Sequence, residues 1–119
     1  MARTYDGSCQ CGAVTFSAEL DLTHAVICNC SRCRRLGSVF AFTPRTAFTL
    51  RSGEDALTEF RFHNEVIAHL FCATCGIEAF GYGRMPDGTE TVAVNARVLD
   101  GVDGHALAKE ATFYDGAAS

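Results

Sequence analysis

Seven cysteines fall in three tight clusters: Cys9-Gln10-Cys11-Gly12, Cys28-Asn29-Cys30-Ser31-Arg32-Cys33 and Cys72-Ala73-Thr74-Cys75-Gly76. An odd number of thiols cannot all pair as disulfides, and Met1 to Ser8 is polar, without the apolar core of a secretion signal. The expectation is a soluble protein in the reducing cytoplasm, where closely spaced thiols hold metal rather than form a disulfide framework. In each cluster two sulfurs near in sequence can converge on one ion. The glycine that follows two of them, Gly12 or Gly76, lets backbone amides turn toward the sulfurs.

Ligand arithmetic divides the seven. A structural zinc takes four protein ligands, whereas a catalytic zinc takes three and leaves a position for water or substrate. The pairs Cys9/Cys11 and Cys72/Cys75 suit a closed site built from two knuckles far apart in the chain. Cys28, Cys30 and Cys33 would then hold a second zinc with its fourth position free. Other readings stand beside this one. The pairs could be thiols without metal, and the triplet could be structural, completed by His24, His63, His69 or His105. His69, three residues before Cys72, is the best placed of these, although a lone histidine in a strand also serves as a hydrogen-bonded packing residue. Spacing alone leaves an iron–sulfur cluster open, but the usual ferredoxin runs are missing.

The rest of the chain reads as strands. Residues 13–20 set Val14, Phe16, Ala18 and Leu20 against Thr15, Ser17 and Glu19, the period of a half-buried strand, and Thr91 to Leu99 repeats it with Val92, Val94, Ala96 and Val98. Further strands are expected at Val39 to Thr43, Ala47 to Arg51, Leu57 to Phe62, Val66 to Cys72, Glu78 to Tyr82 and Thr112 to Tyr114. Turn signals separate them at Ser52-Gly53, Pro86-Asp87-Gly88, Asp100-Gly101 and Asp103-Gly104. No helical period is sustained. At 119 residues this predicts one all-β domain of short antiparallel strands over residues 1–119, ordered except at its ends. A net charge of −4 gives no electrostatic grip on nucleic acid, and no apolar run is long enough to span a bilayer. Arg32, Arg34 and Arg35 form the one dense basic group, read either as a solvated turn or as an anion contact.

The segments Gly7-Ser8-Cys9-Gln10-Cys11-Gly12-Ala13-Val14, Cys28-Asn29-Cys30-Ser31-Arg32-Cys33-Arg34-Arg35, Phe71-Cys72-Ala73-Thr74-Cys75-Gly76 and Val94-Asn95-Ala96-Arg97-Val98-Leu99-Asp100-Gly101 resemble the glutathione-dependent formaldehyde-activating enzyme family, which includes centromere protein V. The resemblance runs from about Gly7 to Asp103. It implies an Mss4-like fold of coiled antiparallel sheets, a structural zinc on Cys9, Cys11, Cys72 and Cys75, and a catalytic zinc on Cys28, Cys30 and Cys33. It also implies glutathione as partner and a carbon–sulfur lyase activity, which in the reverse sense joins formaldehyde and glutathione into S-hydroxymethylglutathione. Asn29 departs from the family pattern, standing where the founding enzyme type has histidine. On this reading Ser31 or a water would protonate the nascent alkoxide, Ser31 otherwise being a turn hydroxyl, and Arg34 and Arg35 would meet glutathione's carboxylates. A lyase for another thiol adduct would share the site. The competing class is a zinc-stabilised binding module or glutathione carrier without turnover, since three thiolates lower the Lewis acidity of their zinc.

Overall fold

In the computed structural model, which describes residues 2–61 and 67–118, ten strands and two short α-helices follow one another along the chain. They are β1 (Arg3–Ser8), β2 (Thr15–Leu20), β3 (Val26–Cys28), α1 (Cys33–Leu36), β4 (Phe40–Pro44), β5 (Phe48–Ser52), β6 (Leu57–Phe60), β7 (Ala68–Cys72), β8 (Phe80–Arg84), β9 (Glu90–Asn95), α2 (Gly104–Glu110) and β10 (Thr112–Tyr114). Two sheets result. One has the order β1-β2-β5, the other β10-β3-β4-β9-β8-β7-β6. The fold is mainly β and of the Mss4-like kind.

The expected alternation is what joins the sheets. Val14, Phe16, Ala18 and Leu20 are all buried, and they meet Val92 and Val94 from β9, Phe80 from β8 and Leu70 from β7 across the interface. Phe16, Phe48 and Phe80 form its centre, with ring centroids 5.3, 5.6 and 4.7 Å apart. Burying each such ring stabilises the fold by roughly 2–3 kcal/mol, and edge or offset contact adds about 1 kcal/mol per pair. Gly7 on β1 lies directly over the Phe16 ring, where a Cβ would come within 2.3 Å of Cζ.

Several expectations need correction. The N-terminal end is not loose: Arg3–Ser8 pairs along its length with β2. Residues Val26–Cys28 form a strand that is too short for alternation to reveal. The sheets are not wholly antiparallel, because β10 runs parallel to β3, with Tyr114 opposite Cys28. Asp103-Gly104 opens a helix rather than a turn, since the Asp103 carboxylate caps α2 by accepting from the amides of His105 and Ala106. Four and seven residues are too few for a helical period to be read in α1 and α2. The strand expected over Thr91 to Leu99 ends at Asn95, whose side chain caps a turn of 3₁₀ helix at Ala96–Val98. Phe62 and Val66, at the ends of two expected strands, and His63 lie outside the described residues.

Candidate metal centre and adjoining cleft

Two connections bring the first group of thiols together. Cys9 and Cys11 sit in the turn between β1 and β2, in the smaller sheet, while Cys72 ends β7 and Cys75 lies in the following turn, in the larger sheet. The turns share a hydrogen-bond plan: the amide of Cys9 donates to the Val14 carbonyl at 3.0 Å, and that of Cys72 to the Ile77 carbonyl at 3.0 Å. Each closes through a glycine with positive φ, +83° at Gly12 and +80° at Gly76, a backbone state that side-chain-bearing residues rarely adopt. The four sulfurs lie within 4.8 Å of one another.

Their separations suit a metal better than a disulfide. Cys9 and Cys11 Sγ are 3.7 Å apart, and Cys11 and Cys72 Sγ 3.6 Å. A disulfide needs about 2.0 Å, whereas a tetrahedron with zinc–sulfur bonds of 2.3 Å has an edge of about 3.8 Å. Amides point at the sulfurs: Val14 donates to Cys9 Sγ at 3.3 Å and Thr74 to Cys72 Sγ at 3.4 Å. The amide of Ile77, then that of Cys11, brings the Cys75 thiol down to about 6. The amides of Cys75 and Thr74 lower Cys72 as well. The Ala13 amide favours a thiolate at Cys11, but the Cys72 thiol, burial and the other sulfurs outweigh it and raise Cys11 to about 11. Thiolates this close repel unless a cation lies among them, so the set fits zinc.

Cys28, Cys30 and Cys33 form the second group, also within 4.8 Å of one another. Cys28 ends β3, Cys30 lies in the loop and Cys33 opens α1. The Cys30 amide donates to Cys28 Sγ at 3.4 Å and the Cys33 amide to Cys30 Sγ at 3.3 Å. Burial pushes the Cys33 thiol up. It opposes ionisation of Cys30 too, but there the Cys33 amide and thiol prevail and the thiol is lowered. Among the described residues no histidine nitrogen, carboxylate or further thiol joins this group. His24 is exposed beside Asp21, and His105 is exposed on α2. His69 is buried, with Nδ1 3.7 Å from Glu78 Oε2, and does not group with the triplet sulfurs.

The three arginines separate. Arg32 reaches Glu78 Oε1 through Nε at 3.0 Å and Nη2 at 2.6 Å, with its guanidinium over the Phe60 ring. Burial alone would raise Glu78, but the neighbouring His69 imidazole and the hydrogen bonds and charge of the Arg32 guanidinium hold its carboxyl below the ordinary range. Arg35 donates to the Ser31 carbonyl at 2.6 Å, and Arg34 is exposed on α1. Asn29 fastens the chain's last segment to this loop: its Nδ2 donates to Asp115 Oδ1 at 2.9 Å, and its Oδ1 accepts from the Ala117 amide at 3.0 Å. Gly116 consequently lies against the triplet, where a Cβ would come within 2.5 Å of Cys28 Sγ.

A cleft of about 470 Å³ opens beside the triplet. Cys28, Cys30, Cys33 and Ser31 line it together with Phe40, Phe42, His69 and Tyr114. A larger depression of about 730 Å³, near Arg45, Leu50 and Tyr82, contains no thiol. The Arg32–Glu78–His69 chain and the cleft's walls escape the sequence reading because their members come from different strands. Sheet register was the missing signal.

A family model described as glutathione-dependent formaldehyde-activating enzyme matches residues 4–116. The chain also resembles a crystal structure of a Rhodobacter sphaeroides protein solved as a structural-genomics target. Its TM-score is 0.81 and its identity 32%, with 92% of this chain and 99% of that chain covered.

Proposed function

Because the chain belongs to the glutathione-dependent formaldehyde-activating enzyme family, we propose that it is a cytoplasmic, single-domain carbon–sulfur lyase that forms and cleaves S-hydroxymethylglutathione at the Cys28/Cys30/Cys33 triplet. The observation that carries this reading is a three-thiol group without a fourth protein ligand among the described residues, lining a cleft. Cys9, Cys11, Cys72 and Cys75 would hold a structural zinc between the sheets, and the triplet would hold a catalytic one. Bound there, zinc supplies a position that favours an incoming thiol as its thiolate.

The chain's own groups do the rest. Amides of Cys30 and Cys33 keep the triplet sulfurs oriented, and Gly116 lies against Cys28 in the lining of the cleft through which substrate would approach. In synthesis a carbon–sulfur bond forms between glutathione sulfur and formaldehyde carbon. The carbonyl π pair moves onto oxygen, which receives the proton the thiol gave up. His69 and Ser31, both lining the cleft, are the side chains that would pass that proton on, His69 with Glu78 3.7 Å from its Nδ1. The addition also proceeds without a catalyst, so thiolate formation and positioning suffice.

The test is exchange between free and hydroxymethylated glutathione, followed by NMR with labelled formaldehyde. Wild type should accelerate exchange and Cys30→Ser should not, and glutathione but not S-methylglutathione should bind. Binding without faster exchange would favour the carrier. No binding would remove glutathione as the partner.

A further inference from the structure

We propose that the cleft beside the triplet receives a hydrocarbon group carried on the carbonyl carbon, so that the preferred adducts are hemithioacetals of apolar aldehydes rather than of formaldehyde alone. This rests on the thiol-adduct reading above and specifies its second substrate.

Sheet register builds the cleft. Phe42 pairs with Ala93, Ala93 with Gly81, Gly81 with His69 and His69 with Phe60, one row of neighbours across five strands. Successive residues along a strand face opposite sides. Ala41, Val92, Val94, Phe80 and Leu70 fill the core from one face, and this row lies on the other. Alanine and glycine in the middle make a low floor between bulky walls. Gly81 lies close beside β7, where a Cβ would stand 3.0 Å from the Ala68 carbonyl oxygen.

Three observations choose the occupant. Phe42, Ile67 and Tyr114, all lining the cleft, are 55%, 46% and 53% exposed. Large exposed apolar side chains lining one cleft mark a surface that something apolar covers. The second is size: a one-carbon aldehyde is little larger than a water molecule, whose share of liquid is about 30 Å³, and leaves most of the cleft's roughly 470 Å³ unfilled. The third is charge. No arginine or lysine is among the described residues lining the cleft, and Arg32 is committed to buried Glu78. Glutathione's carboxylates would lose hydration there without gaining a cation, so the tripeptide's charged ends stay outside. With the thiol sulfur at the triplet, the aldehyde's chain points along the floor of Gly81 and Ala93. The addition balances as for formaldehyde: a carbon–sulfur bond forms, the carbonyl π pair goes to oxygen, and the thiol's proton ends on that oxygen.

The experiment measures acceleration of hemithioacetal formation over the uncatalysed rate, with zinc-loaded protein, glutathione and formaldehyde, butanal or hexanal. Each methylene taken out of water is worth about fourfold, so acceleration should rise about fifteenfold from butanal to hexanal. Phe42→Asp, at an exposed position, should flatten that rise. In parallel, glutathione with hexanal should shift the amide resonances of Phe42, Gly81 and Ala93, which glutathione with formaldehyde should leave near their free positions. Acceleration of formaldehyde addition with a flat or falling chain-length series would overturn the inference and leave the proposed function intact. No acceleration with any aldehyde would overturn both.

Discussion

Replacing Cys75 with serine should destabilise the protein far more than replacing Cys30. Cys11 and Cys72, whose sulfurs touch, are 61 residues apart in sequence, so a metal on the first group closes a long stretch of unfolded chain and fastens one sheet to the other. The triplet closes only the short loop from Cys28 to Cys33. Loop-closure entropy grows as three halves RT times the logarithm of loop length, so the longer closure is worth about 2 kcal/mol more. The Cys30 loop also keeps other fastenings, through Asn29 to Asp115 and Ala117 and through Arg32 to Glu78. For a chain of this size 2 kcal/mol corresponds to a Tm difference of about 8 °C. Thermal unfolding of both zinc-loaded variants by circular dichroism measures it. Equal losses would mean that the triplet is structural and that the division into closed and open sites is wrong.

Arg32→Ala should cost about 3 kcal/mol in denaturant unfolding, because it strands a carboxylate whose side chain is 2% exposed; a loss below about 1 kcal/mol would show that the pair is solvated. Glu78 is held below its ordinary value of 4.5, so its contribution is present above that pH and is lost as pH falls through the lowered value. The stability difference between wild type and Glu78→Gln should therefore shrink as pH falls below about 4.5; a difference that keeps widening below that pH would contradict the assignment. Gly116→Val puts side-chain atoms where Cys28 Sγ lies. It should displace the last segment and speed zinc loss from the triplet to a chromogenic chelator, and an unchanged rate would show that the segment does not shield the site.

The thiol groups were legible because their chemistry is local: within each cluster sulfurs are two to five residues apart, and glycines mark two of the turns. Strands β2 and β9 were legible because each presents one face to the core. β1 was not, since the face it turns to the core carries Arg3, Tyr5 and Gly7, which give no apolar run, and the contact at Gly7 is made by the absence of a side chain. Asp103-Gly104 has one composition for a turn and for a helix cap, and only the amides that follow distinguish them. Arg32 and Glu78 are 46 residues apart, and Phe42, Ala93, Gly81 and His69 become neighbours only once strand order and register exist. Local spacing thus located the sulfurs, whereas what surrounds them depended on pairing between distant strands.

In the proposed function one group of thiols is complete and the other has a place for a substrate thiol. Cadmium-113 NMR of the cadmium-substituted protein tests it directly, because the resonance reports the number of sulfurs on each ion. Two resonances are predicted, one for four sulfurs and one for three, and glutathione should move only the second, to the position of a four-sulfur site. Two four-sulfur resonances before glutathione is added, or a three-sulfur resonance that glutathione leaves unmoved, would contradict the account.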